Sequence, residues 1–293
     1  MKPVILLQTD FSLEWGAVAS VKGVIKRVDP ALEVQDLCHY IKQFDPWEAS
    51  LSLAAVEPYW PAGTVIVSVV DPGVGTARRS CAALLNDGTY VITPDNGTLT
   101  HLKHSVGIRS VRELDPKLRY GAGEEVSVFH GRDIYGYAAA LLASGQVPFE
   151  KLGTEYPAEE VVECEEYGIR PVLEHLRAEG FIMTGLKHFG GVQFNITNEE
   201  WKNCGFTEGM TVQVTIACGD KTVFDRPVLY ERSFGFVPEG EPILYCGSSR
   251  HLSLDLNCAN LMERCGIGTG KEWKVKLILH KPFQHRRKIL NNP

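Results

Sequence analysis

Ionisable side chains next to glycines follow several apolar runs in the first half of this 293-residue chain. Residues 69–79 read VVDPGVGTARR and residues 129–133 read FHGRD. Residues 94–97 read PDNG, and an apolar run at 4–7 leads into Thr9, Asp10 and Phe11. Ligands of open α/β sheets bind beside the carboxyl ends of the strands. Four polar strand ends in one half of the chain therefore predict a pocket.

The elements that must position these side chains alternate between strand and helix. Apolar runs predict strands at 4–9, 32–37 and 64–70, and helical periodicity predicts helices at 17–28, 49–59 and 134–144. An Asn-Asp-Gly turn at 86–88 lies between two short apolar runs and predicts a hairpin. This alternation is typical of an α/β domain with a largely parallel sheet.

The pattern changes after about residue 160. Short alternating segments at 193–197, 211–217, 242–245 and 274–279 are separated by turns that contain glycine or proline. They predict a smaller all-β domain, a barrel or a sandwich. We therefore expect an α/β domain at 1–160 and a β-rich domain at 161–293, with the Glu- and Pro-containing stretch at 156–171 as the linker.

Charge and composition exclude several classes of protein. The net charge of −6 and the pI near 5.9 argue against a nucleic-acid surface, and the basic cluster at 285–288 is interpreted as a solvated tail. The apolar runs are too short to cross a bilayer, and the N-terminus lacks the features of a signal peptide. The eight cysteines form no Cys-x-x-Cys pair, which argues against a zinc site. We expect a soluble, cytoplasmic protein.

Six segments together resemble one enzyme family. They are TDF at 9–11, VKGV at 21–24, DLCH at 36–39, VDPGVG at 70–75, PDNG at 94–97 and FHGRD at 129–133. In order and spacing these motifs resemble the S-adenosyl-L-methionine (SAM) hydroxide adenosyltransferases, which are related to fluorinase and chlorinase. The likeness is patchier in the second half, where GSS at 247–249, Leu252, Asn257 and Asn260 are similar to the closing motif of the family.

The resemblance implies hydrolysis of SAM to adenosine and L-methionine without a cofactor or a metal. The Asp, Arg and His triad of the family falls on Asp71, Arg78 and His130, with Arg79 as an alternative to Arg78. A sulfonium leaves as a neutral thioether, so the difficulty lies in placing and activating water. An Asp–Arg pair can fix the water, and a neutral histidine can accept its proton. Halide enzymes place tyrosine and serine where this chain has Asp71 and Gly131, so the chain resembles the enzymes that use water.

Further residues are implied to bind the substrate. Asp10 can hold both ribose hydroxyls or cap the next helix, and Phe44 can stack on the sugar or the adenine or lie in the core. Asp95 and Asn96 can line the pocket, although the Asn-Gly pair favours a turn. The remaining candidates are Phe11, Phe129 and Gly131 in the first domain and Ser248 and Ser249 in the second.

One segment departs from the family pattern. Members carry an Asp followed shortly by Phe-Gly-Asn against the amino-acid end of the substrate, whereas residues 185–191 read GLKHFGG. Unless His188, Asn195 or Ser249 substitutes, we expect weak recognition of methionine, another adenosyl sulfonium as substrate, or loss of turnover. Adenosine should then bind nearly as well as SAM.

The sequence is also compatible with two other functions, and the resemblance implies an oligomeric state. Asp10, His39, Asp71 and His130 could converge on a divalent ion in a metal-dependent hydrolase. A non-catalytic protein that binds adenosine or SAM would also fit the altered segment. The resemblance further implies a homotrimer whose sites lie between subunits.

Overall fold

The computed structural model describes residues 2–121, 128–186 and 188–280. The chain forms two compact units that divide between Gly168 and Ile169, inside the expected linker. The basic cluster at 285–288 lies outside the described residues. No helix in the described part of the chain is long and apolar enough to cross a bilayer.

In its described residues, the first unit contains seven strands and four α-helices. The strands are β1 Ile5–Thr9, β2 Val34–Cys38, β3 Val65–Val69, β4 Ser80–Leu85, β5 Tyr90–Pro94, β6 Ile108–Leu114 and β7 Gly153–Tyr156. The helices are α1 Ala17–Val28, α2 Pro46–Val56, α3 Thr100–Ser105 and α4 Tyr137–Ser144. Short 3₁₀ turns cover Glu57–Tyr59, Phe149–Lys151, Ala158–Glu160 and Glu165–Gly168, and a π-helical turn covers Gly131–Gly136.

These strands form one mixed sheet in the order β2-β1-β3-β5-β4-β6-β7. The predicted α/β class is confirmed, and the parallel pairing extends over β2, β1, β3 and β5. The other half is antiparallel. The predicted hairpin joins β4 to β5, and β6 and β7 continue the sheet through the antiparallel pairs β4–β6 and β6–β7. "Largely parallel" therefore describes only the half of the sheet that ends in Asp10 and Asp71.

Helices cover both faces of this sheet. Ile5 and Val65 point to the face that packs on α1 and α4, and their neighbours Leu6 and Ile66 point to the face that packs on α2. Successive side chains of a strand alternate between faces, so strands that are apolar throughout require cover on both. Asp45 caps α2, since its carboxylate accepts a hydrogen bond from the Glu48 N–H at 3.0 Å.

The described part of the second unit is a barrel with two short helices. Its strands are β8 Val172–Glu174, β9 Arg177–Leu186, β10 Gly191–Thr197, β11 Thr211–Cys218, β12 Lys221–Tyr230, β13 Pro242–Cys246, β14 His251–Leu256 and β15 Gly270–Leu279. The helices are α5 Asn198–Asn203 and α6 Leu261–Cys265, and a 3₁₀ turn covers Phe234–Phe236.

The order β10-β14-β13-β12-β11-β15-β9 returns to β10 through the β9–β10 pairing, which closes a seven-stranded barrel. β8 adds to its β9 edge. Inward-facing side chains such as Phe194, Val214 and Leu254 fill the interior together with Trp201 from α5. The prediction of a β-rich second domain is confirmed, and of its two alternatives the barrel is correct.

Candidate active site

The site begins where two adjacent parallel strands end. β1 and β3 pair in register, with Thr9 opposite Val69, so Asp10 and Asp71 follow the sheet at the same edge. Burial raises the pKa of the Asp10 carboxyl; the hydrogen bond from the Phe44 N–H opposes that rise, and the negative charge of Asp71 adds to it. The charges of the two carboxylates therefore interact, which agrees with the prediction that these strand ends lie at one pocket.

Asp71 forms a buried, two-point ion pair with Arg78. Arg78 Nε donates to Asp71 Oδ1 at 2.8 Å, and Arg78 Nη2 donates to Oδ2. Only 6% of the Asp71 side chain and 11% of the Arg78 side chain are exposed. Gly73 lets the loop fold back, since a Cβ there would lie 3.2 Å from Arg78 Cγ. A forked pair of this kind fixes the position and the orientation of both groups.

His130 completes the triad through the same guanidinium. Arg78 Nη2 lies 2.9 Å from His130 Nδ1. Arginine can only donate, so Nδ1 accepts, and a neutral imidazole then carries its proton on Nε2. Burial lowers the pKa of His130, and the positive charges of Arg78 and Arg119 lower it further. The ring is neutral at pH 7.

This arrangement changes the role expected of His130. With Nδ1 facing a donor and Nε2 already protonated, the ring has no free lone pair for a proton from water. It presents an N–H donor instead of a base. The sequence identified a neutral histidine here, but it could not identify which ring nitrogen carries the proton.

Two residues that the sequence analysis missed extend the triad. Arg78 Nη1 donates to Ser80 Oγ at 2.8 Å, and Ser80 Oγ lies 3.1 Å from the Tyr135 hydroxyl. That hydroxyl donates to Asp71 Oδ2 at 3.3 Å. Tyr135 is fully buried. Asp71, Arg78, Ser80 and Tyr135 therefore form a closed ring of hydrogen bonds.

The π-helical turn places Tyr135 and His130 in this network. π-turns are rare and frequent at functional sites. Its two terminal glycines allow close approach: a Cβ on Gly131 would lie 3.1 Å from the Phe11 ring, and one on Gly136 would lie 2.8 Å from Val21. Two glycines five residues apart, directly after the histidine, are the signal that could have indicated the turn.

A pair of aromatic rings and a loop with a strained backbone at Phe44 lie beside the triad. The rings of Phe11 and Phe129 meet edge to face, with centroids 5.6 Å apart. Phe44 adopts a left-handed φ of 62°, and its N–H donates to Asp10 Oδ2 at 3.0 Å. Its side chain is 68% exposed, so the alternative of a core residue is wrong. Such backbone strain is common at ligand sites. The structure thus brings Asp10, Phe11, Phe44, Phe129 and Gly131 to the triad.

Asp10 is also not a helix cap. The residue before α1 is Gly16, and no side chain caps that helix. The Asp10 carboxylate instead holds the Phe44 loop, which leaves the ribose role open to it.

Asp95 does not belong to this group. One of its oxygens accepts from Arg79 Nε at 3.0 Å and from the Tyr156 hydroxyl at 3.1 Å, and the other accepts from the Val162 N–H at 2.9 Å. Its side chain is 1% exposed. Both oxygens thus bond to other parts of the first unit, and the structure does not bring Asp95 to the triad. Since Arg79 also pairs with Glu160, the triad arginine is Arg78.

Asn96 supports the site from behind. Its Nδ2 donates to the Val70 carbonyl at 2.9 Å, directly before Asp71, and its Oδ1 accepts from the Thr98 hydroxyl at 2.8 Å. The favoured turn interpretation fits this geometry. The Asn96 side-chain amide therefore holds the backbone directly before Asp71 in place.

The donors proposed for a metal site are otherwise engaged. His39 Nδ1 lies 2.9 Å from Thr9 Oγ1, and His39 Nε2 lies 2.9 Å from Asp36 Oδ1. Both Asp71 oxygens accept from Arg78. Within residues 2–121, 128–186 and 188–280, no group of three or more His, Cys, Asp or Glu side chains is arranged to hold an ion. These residues do not form the metal site of the alternative hypothesis.

The candidates of the second unit form no comparable cluster. Ser248 and Ser249 lie between β13 and β14, and Ser249 Oγ is buried with no hydrogen-bond partner among the described residues. Asn195 is occupied, because its Oδ1 accepts from the Phe181 N–H at 2.7 Å and its Nδ2 donates to the Ile169 carbonyl at 3.1 Å. His188 is exposed and contacts the Phe189 ring. Asn195 therefore cannot substitute for the missing polar groups.

Comparison with known proteins agrees with the motifs. A family model described as the SAM hydroxide adenosyltransferase N-terminal domain matches residues 5–153, and the corresponding C-terminal domain matches residues 186–274. A protein of Thermus thermophilus named (R)-S-adenosyl-L-methionine hydrolase is 36% identical, with 92% of this chain and 98% of the relative aligned. A protein of Salinispora tropica with the same name is 31% identical, covering 93% of this chain and 97% of its own length.

A solved structure also resembles this chain throughout. The crystal structure of an uncharacterized conserved protein from Thermotoga maritima superposes with a TM-score of 0.82 at 28% identity, covering 94% of this chain and all of that one. Family models match both units, and relatives above 30% identity align over nearly the whole length. The chain belongs to the SAM hydroxide adenosyltransferase family.

Proposed function

We propose that the protein hydrolyses S-adenosyl-L-methionine to adenosine and L-methionine. The observation that carries this proposal is the buried hydrogen-bond network of Asp71, Arg78 and His130 beside Asp10. Relatives aligned over nearly the whole chain bear the name of this hydrolase. Water is the second substrate, and its oxygen attacks the 5′ carbon of the ribose.

The leaving group explains why a weak base is sufficient. As the bond from oxygen to C5′ forms, the bond from C5′ to sulfur breaks, and its electron pair stays on the neutral thioether of methionine. The attacking oxygen then becomes a strongly acidic oxonium, which loses its proton readily. An arginine-paired carboxylate can accept that proton, so Asp71 serves as the acceptor although Arg78 holds both its oxygens.

Arg78 and His130 place the nucleophile. The fork of Arg78 fixes the Asp71 carboxylate, and its contact with Nδ1 fixes the tautomer that directs an N–H from His130 Nε2. One acceptor and one donor on a rigid frame define the position of a water molecule from two sides. Orientation of this kind supplies much of the rate gain, since aligned reactants reach effective molarities of about 10⁵ M or more.

Asp10 and the aromatic side chains hold the adenosyl group. A carboxylate can accept hydrogen bonds from both hydroxyls of a cis diol. Phe44, held by its N–H to Asp10, offers an exposed ring for stacking on the sugar or the base. These contacts bind the part of the substrate that does not change during the reaction.

The proposal includes independence from metals and cofactors, a cytoplasmic location and a homotrimer. The first is supported by the engaged state of the His39 and Asp71 donors, the second by the sequence pattern, and the third by the family resemblance. Activity after treatment with a chelator tests the first. Light scattering tests the assembly, and a stable, active monomer would refute it.

Chromatography of the reaction products tests the proposed function. Purified protein incubated with SAM is expected to release adenosine and methionine in equal amounts, and Asp71→Asn is expected to release both at least about 10²-fold more slowly. Binding of SAM without adenosine release would identify a binding protein instead. Methylthioadenosine as the adenosyl product would show that another bond to sulfur breaks and would contradict the mechanism.

A further inference from the structure

Two family motifs that the proposed mechanism leaves unused, VKGV and DLCH, meet at the end of β1. Lys22 Nζ of α1 donates to Asp36 Oδ2 of β2 at 2.7 Å. The other oxygen, Asp36 Oδ1, lies 2.9 Å from His39 Nε2. His39 Nδ1 in turn lies 2.9 Å from Oγ1 of Thr9, the last residue of β1. A continuous chain of polar contacts therefore runs from α1 to the residue directly before Asp10.

The charge of Asp36 sets the direction of the hydrogen bonds in this chain. Partial burial raises the pKa of Asp36, but the hydrogen bonds from Lys22 and His39 outweigh it and lower that pKa, so the carboxylate is ionised at pH 7. A carboxylate only accepts, so His39 Nε2 donates to it, which leaves Nδ1 of a neutral imidazole to accept from the Thr9 hydroxyl. The Thr9 oxygen accepts from the Phe11 N–H at 3.2 Å. Each contact thus joins one donor to one acceptor.

The chain of contacts ends in a turn that encloses Asp10. The bond from the Phe11 N–H to Thr9 Oγ1 joins the residues on either side of Asp10, and a hydroxyl that bonds to the backbone two residues on stabilises a turn. The His39 carbonyl also accepts from the Ser12 N–H at 2.8 Å. Ser12 has a left-handed φ of 59°, a strained conformation that such a contact supports. His39 therefore holds the backbone before Asp10 through its ring and the backbone after it through its carbonyl.

Asp36, His39 and Thr9 have the order of a nucleophilic triad, but burial excludes that role. In such a triad a carboxylate orients a base, and the base takes the proton of a hydroxyl that attacks the substrate. Thr9 is fully buried and His39 is 3% exposed, so the hydroxyl cannot reach a substrate. The Thr9 oxygen is also occupied by the Phe11 N–H. These side chains can act on the site only through the backbone that they hold.

We propose that Thr9 and His39 are positioning residues that orient the Asp10 carboxylate toward the two ribose hydroxyls of the substrate. Asp36 and Lys22 hold the His39 ring in the orientation that this role requires. The inference rests on the proposed function, because it assumes the contact of Asp10 with the ribose. Loss of the Thr9 hydroxyl should loosen the turn at Asp10 and weaken recognition of the ribose diol, while the sheet stays folded.

Calorimetry with two matched nucleosides tests this proposal. The ligands are adenosine and 2′,3′-dideoxyadenosine, which lacks both ribose hydroxyls. The unaltered protein is expected to bind adenosine at least about tenfold more tightly, the lower value for a hydrogen bond to a charged group. Thr9→Val removes the hydroxyl at nearly constant volume and should reduce that preference to within about threefold, as should His39→Phe. Thr9→Ser keeps the hydroxyl and should retain the preference.

Thr93→Val is the matched control. Thr93 lies on β5 of the same sheet and is also fully buried, but its hydroxyl bonds to no described residue. It should keep the full preference. The preference is a ratio of two Kd values of the folded protein, so a loss of stability alone does not change it.

Three results would overturn the inference: a Thr9→Val variant that keeps the preference, an equal loss in Thr93→Val, or equal binding of both nucleosides by the unaltered protein. None of these measurements depends on turnover. Failure to release adenosine from SAM would therefore refute the proposed hydrolysis, whereas an unchanged preference in Thr9→Val would refute the positioning role alone.

Discussion

Replacement of Arg78 by lysine separates charge from geometry in the triad. Arg78 makes four short hydrogen bonds, two to Asp71, one to His130 and one to Ser80. A lysine ammonium keeps the positive charge but cannot span the carboxylate fork and the imidazole together. Arg78→Lys thus loses at least two charge-assisted bonds.

Two such bonds at about 1.5 kcal/mol each amount to about 3 kcal/mol, which corresponds to about 10²-fold in rate. The loss should fall on kcat, because Arg78 positions water rather than the adenosyl group. Steady-state assay of adenosine release gives kcat and KM, and a thermal melt shows that the variant is folded.

Arg79→Lys provides the matched control. Arg79 is the next residue, and its guanidinium pairs with Asp95 and Glu160 instead of the triad. Its kcat should stay within about threefold of the unaltered protein. A kcat for Arg78→Lys within the same threefold, or an equal loss for Arg79→Lys, would refute the assignment of Arg78 to the water site.

Three further outcomes follow from the site. Asp71→Asn and His130→Ala should each lower kcat by about 10²-fold or more while the Kd of SAM by calorimetry changes little; near-normal kcat in both would contradict the triad. Protonation of His130 Nδ1 would break its contact with Arg78, and the pKa of His130 is lowered from its usual value. We therefore expect kcat to stay constant as the pH falls to 6.5 and to decline only below that pH. A decline of kcat centred above pH 6.5 would count against a neutral ring. Asp10→Ala should weaken adenosine and SAM by a similar factor, and a loss confined to SAM would exclude a ribose contact.

The strand ends could be predicted from the sequence because their signals are local. The apolar runs before Asp10 and Asp71, and the glycines after Asp71 and His130, lie within a few residues of the side chains they position. Alternation of strand and helix was sufficient to place both carboxylates at one sheet edge. The triad itself came from the resemblance of whole motifs.

The remaining features depend on contacts between distant segments. Ser80 and Tyr135 lie 55 positions apart, and only the π-turn brings their hydroxyls to 3.1 Å. The turn at Asp95 was evident, but its side chain points to Arg79 and Tyr156, which a motif does not reveal. The sequence also does not reveal which ring nitrogen of His130 carries the proton, because that depends on the contact of His130 Nδ1 with Arg78 Nη2.

His39 illustrates the limit most clearly. The DLCH motif was evident from the sequence, but Thr9, which the His39 ring contacts, lies 30 positions earlier in the chain. Only the pairing of β1 with β2 shows that the two side chains meet behind Asp10.

The central claim is that water, placed by Asp71, Arg78 and His130, attacks C5′ of the substrate. A single turnover in ¹⁸O-labelled water, read by mass spectrometry of the products, tests it most directly. The account predicts one ¹⁸O atom in the 5′ hydroxyl of adenosine and none in methionine, and it predicts that Asp71→Asn forms the labelled adenosine at least about 10²-fold more slowly. Adenosine without ¹⁸O, or label in the amino-acid product, would contradict it.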